Sequence, residues 1–451
     1  MTIRNLNYFF APQSVAIIGA TSRAGSVGSV LVHNLVRGRL DAPVFAVNPS
    51  RSHVFTLPAY KDVASLPAVP DLAVIATPPD TVPGLIAELG DKGTKAAVVI
   101  TAGFSGGGHD AGKELQQAML NAARPHLLRI IGPNCLGIMV PHVGLNASFA
   151  QTGPRPGRVA FVTQSGAVVT AVVDWAKEKG IGFSHLVSLG DMSDVDFGDM
   201  LDYLATDREA HAVLLYIEAI ADARKFMSAA RAAARAKPVI VIKAGRFPEG
   251  AKAAASHTGA IAGTDEVYDA AFRRAGLLRV FSLDELFNAA ETLSKITVPK
   301  GEALAILTNG GGAGVLATDA LMEHGGCLAE LSPDTMAALD NVLPSTWSRG
   351  NPVDIIGDAP PERYRESLEI LLEDSNIDGV LILYCPTAIS SGTSAAQAVI
   401  ETVERRNSVP VFTCWLGGVS ADEPRTLFSR HSIPTYETPH DAVRAISHLV
   451  T

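Results

Sequence analysis

The sequence predicts an α/β protein built from three units, each a parallel sheet wound with helices. Three observations carry this. Short apolar, β-branched runs alternate with helical patterns along the whole chain, as in strands joined by crossover helices. At 451 residues the chain is too long for one core, so two or three domains are expected. The strand-sized runs end repeatedly in small residues and turn-formers, at the sheet edge where such folds hold ligands.

The first unit is expected over residues 1–150. Its strand candidates are 14–20, 43–49, 72–78, 96–103 and 127–134. Their C-terminal ends read Gly19-Ala20-Thr21-Ser22, Asn48-Pro49, Thr77-Pro78-Pro79, Thr101-Ala102-Gly103 and Gly132-Pro133-Asn134. A phosphate can lie against free backbone N–H groups on such an edge. Gly19, Gly25 and Gly28 do not form the G-x-G-x-x-G dinucleotide fingerprint, and strand two ends in Asn48 rather than in an acid for a ribose hydroxyl. Both departures disfavour an NAD-dependent dehydrogenase. A nucleotide with a phosphorylated ribose fits better, and close helix packing is the other reason for these glycines.

The second unit is expected over 151–298. Strand "RVAFVT" breaks at Gln164-Ser165-Gly166, and an amphipathic helix follows. Ser165 reads as an N-cap, and Gly166 and Ala167 leave backbone N–H groups uncovered, which suits an oxyanion or phosphate. The passage 183–207 holds six aspartates. A magnesium site is one reading; the other has Asp194 or Asp196 capping a helix, with Asp199, Asp202 and Asp207 on its solvated side. Strand "HAVLLYIE" ends at Glu218, and "PVIVIKAG" (238–245) precedes the loop bearing His257. The Ser165 helix end, Glu218 and His257 therefore fall on one sheet edge. A neutral imidazole there can take a phosphoryl group, oriented by the carboxylate. A surface loop histidine is the alternative.

The third unit is expected over 299–451. Its run Gly310–Gly314 follows a strand and opens a helix, but it lacks the Gly-Lys-Ser/Thr ending of a phosphate loop. A domain contact or an acyl site fits it equally well.

Composition narrows the class. Hydrophobic residues make up 47% and charged residues 18%, a globular balance. The net charge of −9 argues against nucleic-acid binding. No apolar run is long enough for a membrane span, and the start lacks a signal-peptide pattern. Cys135, Cys327, Cys385 and Cys414 are far apart and match neither a zinc pattern nor a disulfide framework, so a reduced cytoplasm is expected.

The segment "SHTGAIAGTDEVYDAAFRRAGLLRV" (256–280) resembles the phosphohistidine segment of the NDP-forming (ADP-forming) acyl-CoA synthetases, relatives of the succinyl-CoA synthetase α subunit. "SVAIIGATSRAGSVG" (14–28), "IATPPDTV" (75–82), "GPNCLGI" (132–138), "FVTQSGA" (161–167), "YIE" (216–218), "TNGGGAGVLATDA" (308–320) and "GNPVD" (350–354) follow in order, so the resemblance covers nearly the whole chain. It implies a Rossmann-like CoA-binding domain followed by two flavodoxin-like domains. It implies His257 as the phosphorylated residue, supported by Glu218, with Gln164, Ser165, Gly166 and Ala167 receiving phosphate. CoA would lie on Gly19, Ala20, Thr21, Ser22, Gly25, Val27, Asn48, Pro49, Thr77, Pro78, Thr101, Ala102, Gly103 and Asn134.

In the family an acyl phosphate forms and CoA displaces phosphate to give the thioester. ATP or ADP with Mg2+ binds an ATP-grasp domain, which this sequence has no room for. An ATP-grasp subunit or domain is thus the expected partner, with a small carboxylic acid or acyl-CoA as substrate; an oligomer is expected, and no metal site on this chain. Gly106 stands where the family often has an acidic residue. Asp191-Met192 replace an Asn-Lys pair common in relatives. The alternative is a noncatalytic CoA- or acyl-CoA-sensing module of an acetyltransferase or ligase assembly. The joint presence of nucleophile, orienter and anion site favours catalysis.

Overall fold

A computed structural model describes residues 3–104, 109–252, 264–295, 300–406 and 409–450. The chain forms two compact units, 1–286 and 287–451; the division falls inside the helix Leu283–Lys295.

The first unit opens with a short helix α1 (Asn7–Phe10) and contains two sheets. The first sheet holds β1 (Val15–Ile18), β2 (Val44–Val47), β3 (His53–Val54), β4 (Leu57–Tyr60), β5 (Leu72–Ile75), β6 (Ala96–Val99) and β7 (Arg129–Ile131), in the order β3-β4-β2-β1-β5-β6-β7. All pairs but the β3–β4 hairpin are parallel. Every residue of β1, β5 and β6 is buried, which is why these strands read as unbroken apolar runs rather than alternating ones. From β1 the chain runs out to β2 and β4, then returns to β5 on the other side. The strand order thus reverses at β1, the crevice where ligands sit in open sheets. Helices α2 (Val27–Gly38), α3 (Val82–Lys92) and α4 (His109–Ala123) are the crossovers.

The second sheet holds β8 (Gly137–Val140), β9 (Leu145–Ser148), β10 (Arg155–Thr163), β11 (Gly182–Ser188), β12 (Ala212–Ile217), β13 (Val239–Lys243) and β14 (Leu278–Val280). Its order is β14-β13-β12-β10-β11-β8-β9. It reverses direction at β10, which is followed by α5 (Gly166–Glu178). Helices α6 (Phe197–Thr206) and α7 (Ala223–Ala236) come later.

The sheets do not divide at residue 150. β8 and β9 form an antiparallel hairpin on β11, with Ile138 opposite Val187. Residues 137–148 therefore belong to the second sheet, although they precede the expected boundary. The reason is local: β8 is wholly buried and its backbone is taken by the edge of β11. One apolar cluster accordingly runs from Ile17, Val74 and Val98 through Val162, Val187 and Leu215.

Polar ties join the two sheets. Buried Asn34 on α2 donates to the carbonyls of Ser148 and Ala150, both at 2.8 Å. Arg129 on β7 donates to Asp194 (2.9 Å) and Asp199 (3.0 Å), and Lys225 reaches Asp196 (2.9 Å) and Asp199 (2.6 Å). Asp196 caps α6 in a reciprocal capping box with Asp199. The Asp199 side chain is 1% exposed, so it does not face solvent as its helical position suggested; two cations draw it inward. Among the described residues, no group of three or more His, Cys, Asp or Glu is placed to hold a metal ion.

The second unit is one parallel sheet of β15 (Ala303–Thr308), β16 (Cys327–Leu328), β17 (Val353–Asp354), β18 (Gly379–Tyr384), β19 (Val411–Trp415) and β20 (Thr435–Tyr436). Apolar clusters fill both of its faces. Asn351 is structural here: its amide donates to the carbonyls of Leu304 and Ala329, and its oxygen accepts from the Ile306 N–H. Among the described residues no helix is long and apolar enough to cross a membrane.

Candidate functional site

Within the first unit, a cavity of about 660 Å³ opens where the ends of β5, β6 and β7 face the start of α5. That volume suits a small-molecule or cofactor site. The cavity brings together nine of the expected residues: Val27, Thr77, Thr101, Ala102, Asn134, Gln164, Ser165, Gly166 and Ala167.

Each side is held by a specific device. On the first-sheet side Thr101 donates to the Thr77 carbonyl at 2.8 Å, and the Asn134 N–H donates to the Thr101 carbonyl at 2.9 Å. The three strand ends are thus tied into one wall. On the second-sheet side, Thr163 locks the turn: its hydroxyl accepts from the Ser165 N–H (2.9 Å) and donates to the Ser165 carbonyl (3.2 Å). Ser165 is the N-cap of α5, but its side chain makes no capping bond. The first N–H groups of the helix therefore lie beside the cavity without a side-chain acceptor, where they and the helix dipole favour an anion. The helix α2 differs, since Ser26 caps it by accepting from the Ser29 N–H at 3.4 Å.

Gln164 is buried, and its carboxamide oxygen accepts from the backbone N–H groups of Glu218 (2.7 Å) and Ala219 (2.8 Å). That oxygen fixes the end of β12 and hence the buried Glu218 carboxyl. Gln164 thus positions its neighbours, and only its amide nitrogen can serve a ligand.

Gly19, Ala20, Thr21, Ser22, Gly25, Asn48, Pro49, Pro78 and Gly103 stand at the same edge of the first sheet but outside the cavity lining, as does Glu218 on the second. Asn48 bridges two strand ends by donating to the Ala20 carbonyl at 2.8 Å. A Cβ on Gly28 would collide with the Gly19 carbonyl oxygen, so this glycine lets α2 seat directly on the β1 turn. His257 lies outside the described residues. A second cavity in the first unit, of about 650 Å³, is lined by Tyr216, Lys243, Arg246, Phe247 and Phe281. Burial pushes the Lys243 ammonium below its ordinary pKa.

Ala76, Ile100, Cys135, Leu136, Phe149, Thr170 and Gly190 also line the main cavity without having been anticipated, as does Asp191, which the sequence marked only as a departure from the Asn-Lys pair of relatives. Cys135 and Leu136 sat in the quoted "GPNCLGI", the available signal for them. Phe149 follows the β8–β9 hairpin that folds onto β11, and Gly190 follows β11 itself, its turn packed on the Pro133 carbonyl. Cys135 is buried, its thiol donates to the Val99 carbonyl at 3.3 Å, and burial pushes its pKa up to about 12. It is therefore a neutral packing group rather than a nucleophile.

The turn at β10 recurs in the second unit. Thr308 accepts from the Gly310 N–H and donates to its carbonyl, both at 3.0 Å, while Asn309 exchanges hydrogen bonds with the Cys385 backbone. The helix Gly311–Glu323 that follows has no side-chain N-cap bond either.

Comparison with known proteins agrees with this layout. Residues 13–141 match a CoA binding domain, residues 156–293 a succinyl-CoA ligase like flavodoxin domain, and residues 304–447 a ligase-CoA domain. The acetate–CoA ligase [ADP-forming] I of Archaeoglobus fulgidus is 42% identical over 97% of this chain, which spans 62% of that protein's length. The acetate–CoA ligase [ADP-forming] II subunit alpha of Pyrococcus furiosus is 39% identical, covering 99% of this chain and 97% of its own. The solved acetyl-coenzyme A synthetase 1 of Ca. Korarchaeum cryptofilum, in complex with phosphate and ADP, superposes with a TM-score of 0.94 at 34% identity, over 98% of this chain and 96% of that one. On these findings the chain belongs to the ADP-forming acyl-CoA synthetase family, alongside the acetate–CoA ligase alpha subunits.

Proposed function

We propose that this chain is the α portion of an ADP-forming acyl-CoA synthetase, which interconverts acid, CoA and ATP with acyl-CoA, ADP and phosphate. The observation that carries the proposal is the main cavity, where the ligand edge of a CoA-binding-type sheet faces the open start of α5. The residues present fit CoA. The edge from Gly19 to Ser22 and Asn48-Pro49 would take its nucleotide end, and the narrow wall of Thr77, Thr101, Ala102 and Asn134 its arm. CoA supplies the thiol that takes the acyl group.

His257 would carry the phosphoryl group, with Glu218 orienting its ring through a second nitrogen. The N–H groups at Gly166 and Ala167 would hold the phosphoryl oxygens, and Gln164 would keep Glu218 in register. The phosphoryl passes from the histidine to the carboxylate of the acid, and the acyl phosphate then loses phosphate as the thioester forms. The apolar cavity wall would keep water from the acyl phosphate. ATP, ADP and Mg2+ would be bound by an ATP-grasp subunit or domain; the naming of relatives as alpha subunits supports a second subunit. Four free cysteines support a reducing, cytoplasmic setting.

The test is reconstitution with an ATP-grasp partner. ADP release that requires both a carboxylic acid and CoA, and that His257→Ala abolishes, is the expected result. CoA binding without such turnover by any partner would favour a sensing module instead.

A further inference from the structure

We infer that the second cavity of the first unit binds inorganic phosphate, held by Arg246 and Lys243; this rests on the acyl-CoA synthetase reading above, in which phosphate is a reactant. Phosphate would then approach the start of α5 from one side and the acyl thioester from the other.

The two cavities flank α5. Gly166, Ala167 and Thr170 line the main one, and Val168 lines the second. At about 100° per helical residue, Gly166 and Thr170 share a face with Ala167 beside it, and Val168 turns to the opposite side. The cavities also differ in charge. No cation stands among the described residues of the main lining, whereas the second is lined by Arg246 and Lys243 against Glu249, which is exposed. An anion is therefore favoured in the second cavity.

Arg246 is prepared as a fork. Its guanidinium lies over the Phe281 ring at 4.4 Å and near the Phe247 ring at 5.4 Å, which hold its plane. Its Nε faces Asp265 at 3.4 Å, and among the described residues its two Nη groups make no hydrogen bond. Such a fork matches two oxygens of a phosphate. Lys243 is 2% exposed. Its ammonium donates to the Ala244 carbonyl and sits 4.6 Å over the Tyr268 ring, and among the described residues no carboxylate lies within ion-pair distance of it. A buried cation without such a partner is costly, and burial already disfavours its charge; an anion in the cavity would offset both. The Tyr216 hydroxyl, also on the lining, makes no hydrogen bond among the described residues and can donate to a third oxygen.

The test is calorimetric binding of inorganic phosphate, ADP and CoA to the full chain, with peptide mapping of Arg246 after phenylglyoxal treatment. Phosphate is expected to bind the native chain and to slow the modification of Arg246. Arg246→Gln and Lys243→Met should each weaken phosphate by about fivefold or more, as the loss of a charged donor does, with CoA affinity kept within about twofold. Arg246→Lys keeps a charge facing Asp265 but loses the fork, and should weaken phosphate by about threefold or more even if Arg246→Gln fails to fold. No phosphate binding, no protection of Arg246, or smaller changes in the folded variants would overturn the inference. ADP binding that these variants weaken more than phosphate binding would assign the cavity to a nucleotide's phosphates and overturn it too. A native chain that binds phosphate in this way but not CoA would contradict the acyl-CoA reading and leave the phosphate site standing.

Discussion

Gln164 shows how one side chain can set a site without being its chemistry. Its oxygen satisfies two backbone N–H groups at the end of β12. Gln164→Ala leaves both buried donors unpaired, at about 1–3 kcal/mol each. Urea denaturation should therefore show a loss of at least about 2 kcal/mol. Phosphoryl capture should fall with it, because Glu218 loses its register. The sequence marked Gln164 as a site residue but could not say which atom was already used. Cys135 makes the complementary point. With its pKa pushed up to about 12 it stays a neutral thiol at pH 8, whereas Cys327 is exposed. Peptide mapping after brief iodoacetamide treatment should find Cys327 labelled and Cys135 untouched. Asp199 was misread from sequence because helical spacing gives a face, not the charges that approach it from other elements. Arg129 is 70 residues away in the chain.

At the scale of elements, strand-to-helix turns carry the site, and their glycines act for different reasons. Gly28 has no room for a Cβ against the Gly19 backbone, whereas a Cβ on Gly166 would approach the Leu136 Cβ at 3.2 Å, a contact a small shift relieves. Gly28→Ala is therefore expected to cost about 3 kcal/mol or more and to weaken CoA binding. Gly166→Ala should cost about 1 kcal/mol or less, since alanine is also the better helix former. Paired urea titrations check both values. Most parallel strands were legible, because burial on both faces leaves unbroken apolar runs such as Val15–Ile18 and Leu72–Ile75. The β8–β9 hairpin was not. Its four-residue strands carry no mark of which sheet edge accepts them, and the pairing with β11 joins Met139 to Leu186 and Ile138 to Val187, far along the chain. The cavity wall that this hairpin completes, including Phe149, was hidden for the same reason.

At the scale of the whole molecule, the first unit behaves as two sheets locked together, and the charge cluster is one of the locks. Burial alone would lower the Lys225 pKa, but hydrogen bonds to Asp199 and then Asp196 hold it above 10.5. A cation whose pKa rises on folding gives stability that is present below its unfolded value and lost as pH climbs through the folded one. The first unit should thus lose stability above pH 10.5, measured by denaturation at successive alkaline pH values. Arg129→Met leaves buried carboxylates short of a partner and should cost about 3–5 kcal/mol. The fold class and the sheet edge bearing the site were readable from the alternation of strand and helix. The cavity itself depends on how two sheets meet, which no local pattern encodes. The central claim is that this edge serves phosphoryl transfer through His257. Its most direct measurement is the intact mass of the chain, read at alkaline pH after incubation with acetyl-CoA or another acyl-CoA and phosphate. The account predicts a single phosphate adduct that is absent from His257→Ala. An adduct that persists in His257→Ala, or none in a chain shown to turn over with its ATP-grasp partner, would contradict it.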